Sequence, residues 1–261
     1  MAIVLGLSLL ACTSSTKRKA VWATKLVPAS EGMKLDPPPP SGLLWMRPVA
    51  AVIPTRTAGG KLWDDVGGWP DAFVVVTVND REVMRTEVAT DTLKPKWSHP
   101  GGNFEVPSRA ELRVDVFDAD ALEDIPVGSA RFASPTQEEL ASGEIELDIG
   151  RRGLVRVAIG DPRAQLGLGF DYMLFKGQLL ARQVLKHSPA GRSGMRVGDD
   201  IVSIAGKKVK TLTPFGIKSA FDSVPAKGIQ VVVLHEGGTT QSMTLVEGPI
   251  YALHGELERA E

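Results

Sequence analysis

Apolar residues in this chain come in short runs, repeatedly broken by glycine, proline, asparagine or aspartate, and do not recur at the three-to-four-residue spacing of a long amphipathic helix. Eight such runs are predicted as strands, at 44–53, 72–78, 85–89, 102–106, 111–117, 127–132, 143–149 and 154–159. The run Leu112-Arg113-Val114-Asp115-Val116 alternates apolar and polar positions, as a strand with one buried face does, whereas Val74 to Val78 is apolar almost throughout. Many short strands with turn residues between them predict an antiparallel sandwich. Further along, Thr213 reads as the N-cap of a helix reaching about residue 224, with Pro214 in its first turn, and strands are expected at 229–234 and 240–246.

A length of 261 residues fits two modules better than one, and 27 glycines with 18 prolines suit a mostly β chain. Lysine plus arginine (30) nearly balances aspartate plus glutamate (31), so no global field recruits nucleic acid, and electrostatic recognition has to be local. The expected organisation is a leader at 1–12, a Pro-rich linker at 13–42 closing on Asp36-Pro37-Pro38-Pro39-Pro40, modules at 43–160 and 164–250, and an acidic tail at 251–261. The strand at 154–159 suits either the end of the first module or the start of the second; a hairpin with 145–147 favours the first.

Two acidic runs carry the candidate chemistry. Asp65 and Asp71 precede the strand at 72–78, and Asp118, Asp120 and Asp124 follow the strand at 111–117, with Glu123 as the substitute for Asp124. Carboxylates clustered at strand ends repel one another unless a cation or water screens them. Calcium takes six to eight oxygen ligands, which such loops supply, and residues two apart at a strand end can point the same way. The remaining possibility is an acidic rim that holds no metal. Trp63 and Trp69 flank the first run as candidates either for a membrane interface or for capping the core. Arg81, Arg85, Lys94 and Lys96 form a candidate basic face or scattered surface charge.

Three resemblances follow from motifs. Pro70-Asp71-Ala72-Phe73-Val74, Thr92-Leu93-Lys94-Pro95-Lys96-Trp97 and Val127-Gly128 stand in the order of corresponding features of C2 domains, so the first module resembles a C2 domain. That resemblance implies Ca2+ held by Asp65, Asp71, Asp118, Asp120 and Asp124, and docking on a phospholipid membrane. The string Leu166-Gly167-Leu168-Gly169-Phe170, then Ser188-Pro189-Ala190, Val197-Gly198-Asp199-Asp200-Ile201 and Ala205-Gly206-Lys207-Lys208-Val209, is similar to the PDZ series, implying a small β-barrel with one or two helices. By that likeness Leu168, Gly169, Phe170, Asp171 and Tyr172 would bind a partner's C-terminus or extended peptide, with Pro214, Lys218 and Phe221 facing it from the helix. A closed groove is the alternative.

The single cysteine, Cys12, follows the apolar stretch 2–11 and Leu9-Leu10-Ala11, which is too short to span a bilayer. It resembles the lipobox of bacterial lipoproteins, although no basic residue precedes it. The likeness implies lipidation of Cys12 and residence in the bacterial cell envelope, and Thr13 points to the periplasmic face of the outer membrane. The four histidines show no metal spacing, and Gly191-Arg192-Ser193-Gly194 lies inside the PDZ-like series, so no enzyme is expected. Two functions fit: a lipid-anchored adaptor whose first module binds calcium and lipid while the second recruits a protein, or a non-catalytic structural subunit of an envelope secretion or proteolysis complex.

Overall fold

The computed structural model describes residues 21–30, 32–63, 68–120 and 123–257, so Cys12 and Asp65 lie outside the described residues. Two short strands come first, β1 (Val21–Trp22) and β2 (Val27–Pro28). Then follow β3 (Leu43–Val52), β4 (Ala72–Val78), β5 (Arg81–Arg85), β6 (Gly102–Glu105), β7 (Leu112–Asp118), β8 (Ile125–Phe132), helix α1 (Gln137–Ser142), β9 (Glu144–Gly150) and β10 (Gly153–Gly160). These form two antiparallel sheets of four strands, ordered β5-β4-β7-β8 and β6-β3-β10-β9. This is the antiparallel sandwich that the short apolar runs and their turn residues predict, and it is C2-like.

The sandwich is held by its two inner faces. Met46, Val74, Val76, Leu112, Val114, Val116, Val155 and Val157 are all 0 % exposed, and each such side chain contributes about 1.5–3 kcal/mol when fully buried. Along β7 the alternation works as read: Val114 and Val116 point inward, while Arg113 and Asp115 pair on the outer face at 2.9 Å. β4 is buried on both faces, since Phe73 stacks on Phe117 at 5.4 Å and the Arg85 guanidinium lies 4.9 Å over its ring. β8 and β9 approach closely at Gly128, where an added Cβ would meet the Ile149 carbonyl oxygen at 2.1 Å.

Two local elements depart from expectation. The strand expected at 85–89 is instead β5, because Asn79 and Asp80 both adopt left-handed backbone (φ 49° and 60°) and turn the chain tightly enough to pair Val78 with Arg81. α1 was not anticipated: Thr136 caps the Glu139 N–H while the Glu139 carboxylate accepts from the Thr136 N–H at 2.7 Å, and Gly143 ends the turn at φ 74°. β10 pairs with both β3 and β9, which places it in the sandwich.

The second module comprises β11 (Gln165–Gly167), β12 (Phe170–Phe175), β13 (Gln178–Val184), α2 (Pro189–Arg192), β14 (Asp200–Ile204), β15 (Lys207–Lys208), α3 (Pro214–Asp222), β16 (Ile229–Leu234), β17 (Thr240–Leu245) and β18 (Gly248–Ile250). One sheet runs β1-β12-β13-β14-β16-β17 with β15 beside β14, and a second runs β18-β11-β2. Leu168, Phe170, Leu179, Ile201, Phe221, Val231 and Val233 are 0 % exposed in its core. α3 starts as expected, with the Thr213 hydroxyl accepting from the Gly216 N–H at 3.1 Å.

The linker expected at 13–42 is tied to the second module within its described part, because β1 pairs with β12 and β2 with β11. The tail expected at 251–261 is likewise anchored at its start: Tyr251 is 0 % exposed and its hydroxyl donates to the Pro37 carbonyl at 3.2 Å. Asn103 of β6 ties the first module to the connector and to the start of the tail. It is 4 % exposed, donates to the carbonyls of Arg163 (2.8 Å) and Ala252 (3.0 Å), and accepts from the Arg163 N–H at 2.8 Å. Beside it Arg163 lies 3.6 Å over the Trp45 ring, and Glu105 of β6 meets Lys186 and His187.

Candidate functional site

The start of β4 and the end of β7 lie side by side, with Ala72 opposite Asp118, which brings parts of the two acidic runs to one rim of the sandwich. Asp118 is 2 % exposed, and its Oδ1 accepts from the Asp71 N–H at 2.7 Å. The Asp71 carbonyl accepts in turn from the Ala119 N–H at 2.9 Å. Asp71 Oδ1 takes the N–H of Asp91 at 2.7 Å, and Asp91 Oδ1 takes the N–H of Trp69 at 2.8 Å. A carboxylate that accepts backbone N–H bonds tolerates burial that would otherwise be costly. The chain of contacts therefore fixes three loops on one another.

Asp71 and Asp118 are brought together, while Asp120, Glu123 and Asp124 stand exposed on the connection from β7 to β8. The charge of Asp124 reaches Arg85, whose guanidinium is raised above its ordinary value, first by its hydrogen bond to Glu82 and in smaller part by Asp124. Among the described residues no three or more aspartates, glutamates, histidines or cysteines are grouped closely enough to hold one metal ion, and Asp65 lies outside them. The described candidates Asp71, Asp118, Asp120 and Asp124 nevertheless fit calcium in kind, since each is a carboxylate, a hard oxygen donor. Asp91 was missed by sequence reasoning. Its signal was a lone aspartate before the Thr92-Leu93-Lys94-Pro95 turn, a residue type that tolerates the left-handed backbone it adopts (φ 47°).

The two tryptophans separate cleanly. Trp63 is 4 % exposed and its indole N–H donates to the Pro54 carbonyl at 2.7 Å, so it caps the core. Trp69 is 43 % exposed, at the rim itself. Of the basic residues, Arg85 is paired with Glu82 at 3.0 Å, whereas Arg81, Lys94 and Lys96 point to solvent.

In the second module, Leu168, Gly169, Phe170, Asp171 and Tyr172 run through the glycine loop into β12, and all five are buried. The loop is braced from behind by the Leu185 N–H on the Gly169 carbonyl (2.9 Å) and the Ala190 N–H on the Leu168 carbonyl (3.0 Å). Gly169 has no alternative, for its φ is 77° and a Cβ there would sit 2.2 Å from Ser188 Cβ. Asp171 is 0 % exposed with its carboxylate 3.5 Å from Arg182 Nε; burial pushes its pKa above the ordinary carboxylate value, against the opposing pull of Arg182. On α3, Phe221 is buried at 0 % exposed, but Pro214 and Lys218 are exposed, and Lys218 is held by Asp222 at 2.6 Å. Ile217, 2 % exposed, packs into the module's core beside Phe221, and sequence reasoning had not singled it out.

The family model of the C2 domain matches residues 53–147, which lie within the C2-like sandwich. Tricalbin-1 of Saccharomyces cerevisiae is 29 % identical over 125 residues, which cover 46 % of this chain and 10 % of that protein. The chain therefore spans about a tenth of the length of the curated relative it matches. Among solved structures, the C2A and C2B domains of extended synaptotagmin 2 with calcium bound align at 21 % identity and TM-score 0.36, over 51 % of this chain and 49 % of that one. The C2A domain of plant extended synaptotagmin 1 aligns at 21 % identity and TM-score 0.35, over 47 % of this chain and 95 % of that one.

Proposed function

We propose that this chain is a non-catalytic membrane-docking scaffold. Its C2 domain takes Ca2+ between the 65–71 and 118–124 segments and docks on anionic phospholipid, while the second module, read as a PDZ domain, is built to add an extended peptide to its β12 edge. The observation that carries the reading is the junction of Asp71 with Asp118, which holds the roots of both acidic runs on one rim at hydrogen-bond distance, 2.7 Å. When bound, calcium would reverse the local field and offer coordination positions to lipid phosphates. The chain's own residues do the rest: Asp71, Asp118 and Asp91 fix the loops, Asp120 and Asp124 offer exposed carboxylates, and Trp69 presents its indole to the interface. Cys12 would carry the lipid anchor of an envelope lipoprotein.

A second reading is favoured by one observation: backbone N–H groups already occupy Asp118 Oδ1 and Asp71 Oδ1, as they would in a rim that is structural and independent of calcium. The chain would then be a packing subunit of an envelope assembly. Co-sedimentation with vesicles separates the two. Binding to phosphatidylserine-containing vesicles in millimolar calcium, with release by a chelator and no binding to pure phosphatidylcholine, is expected on the first reading. Binding indifferent to calcium and chelator would favour the second.

A further inference from the structure

The groove of the second module is already filled by the chain itself. β1 adds to the free edge of β12 in antiparallel register, Val21 opposite Tyr172 and Trp22 opposite Asp171. The Ala23 N–H continues the ladder to the Phe170 carbonyl at 3.0 Å. Ala23 is 1 % exposed and shares one buried cluster with Leu168, Phe170, Ile217 and Phe221, the residues of the glycine loop, β12 and α3 that a peptide would have to reach. At the loop itself, the Leu168 N–H donates to the Thr24 hydroxyl at 2.9 Å. Thr24 is 3 % exposed, so this donor is shielded from water as well as satisfied.

We propose that residues 21–24 are an internal ligand of the second module, with Ala23 as the buried side chain and the Thr24 hydroxyl at the N–H that would otherwise take a partner's terminal oxygen. This rests on reading the β12 edge as a peptide groove. The contacts are those of strand addition: main-chain ladder bonds supply the affinity and an alternate side chain supplies the fit. The segment does not end at the loop, because the chain runs on into β2, which pairs with β11. The groove thus accepts an internal extended segment, and a free C-terminus is not required. A competitor has to match this chemistry: an extended peptide with a small apolar residue followed by a hydroxyl-bearing residue or a terminal carboxylate. It must also displace an occupant tethered at roughly millimolar effective concentration, which weakens a competitor about tenfold if the occupant's own Kd is about 100 µM.

The test uses the full chain and two readouts. Amide hydrogen exchange at Leu168 is compared in the wild type, in Thr24→Val, which removes only the hydroxyl, and in Ala23→Asp, which puts a charge into the buried cluster; the core amide of Val231 reports that the module is still folded. Exchange at Leu168 at least about tenfold faster in the variants, with Val231 unchanged, is expected. Equal exchange at Leu168 in all three proteins, or a wild type in which that amide is already unprotected, overturns the proposal. A labelled peptide of the sequence of residues 20–29 is then added to each protein. Capture by Ala23→Asp and not by the wild type is the expected result, and equal capture by both overturns the proposal. Faster exchange without capture by either variant keeps the docked segment and removes instead the reading of this edge as a receptor for peptides.

Discussion

Asp118 of β7 holds the backbone of Asp71, at the entry to β4, through a hydrogen bond of 2.7 Å made at a position 2 % exposed to solvent. One side chain therefore joins two segments that are 47 residues apart in sequence, at the rim. Structural and metal-binding roles at this residue can be separated by substitution. Asp118→Ala leaves the Asp71 N–H without its acceptor and is expected to destabilise the sandwich by about 1–3 kcal/mol in urea denaturation without calcium. Asp118→Asn retains an acceptor oxygen and is expected to cost under about 1 kcal/mol in the same measurement.

Trp69 contributes its backbone N–H to Asp91, a bond that survives truncation of the side chain. Trp69→Ala is therefore expected to change stability by no more than about 0.5 kcal/mol. Its binding to phosphatidylserine vesicles should fall several-fold with the calcium midpoint unchanged, as read by vesicle titration at fixed and varied calcium.

Gly169→Ala meets both a positive φ of 77° and a Cβ contact of 2.2 Å with Ser188. A loss of about 2–4 kcal/mol in the second module is expected, since the backbone strain and the overpacking add. The same clash makes any larger residue at Gly169 a poor probe of peptide binding, because the loop would be disrupted before a ligand is lost. Thermal denaturation followed by tyrosine and far-ultraviolet signals measures it.

His235 Nδ1 lies 2.7 Å from Asp199 and Nε2 lies 2.8 Å from Gln241 Oε1, an arrangement that suits a ring donating from both nitrogens. The hydrogen bond to Asp199, and then that to Gln241, raise the imidazole above its ordinary value. For a group whose folded value is raised, the stabilisation is fully present below the unfolded value, about pH 6.5, and is lost as pH rises through the folded value. The wild type should therefore lose more thermal stability than His235→Gln as pH increases from about 5.5 to about 8. An identical pH slope in the two proteins would remove this assignment.

The strands of the sandwich were legible because turn residues and alternation coincide along most of them, and the meeting of Asp71 with Asp118 was legible because aspartates at the ends of neighbouring strands are chemically conspicuous. The exceptions have local causes. β5 begins earlier than expected because the Asn79-Asp80 turn sets its register, not the apolar content of residues 85–89. β1 and β2 are two residues each, too short to carry any period, and are defined wholly by partners such as Asp171, far along the chain from Trp22. Ile217 was not singled out, because which face of α3 is buried is fixed by what packs against the helix. Asp91 escaped notice because its role lies in one bent backbone and two hydrogen bonds.

Calcium capture at the rim is tested most directly by thermal denaturation of the wild type and of the double variant Asp118→Asn with Asp120→Asn, each with and without millimolar calcium. An ion held at about a hundredfold excess over its Kd stabilises the folded state by about 2.7 kcal/mol, so the wild-type Tm should rise by several degrees while the double variant does not move. A wild-type Tm that is the same with calcium and with chelator would contradict calcium binding by this rim.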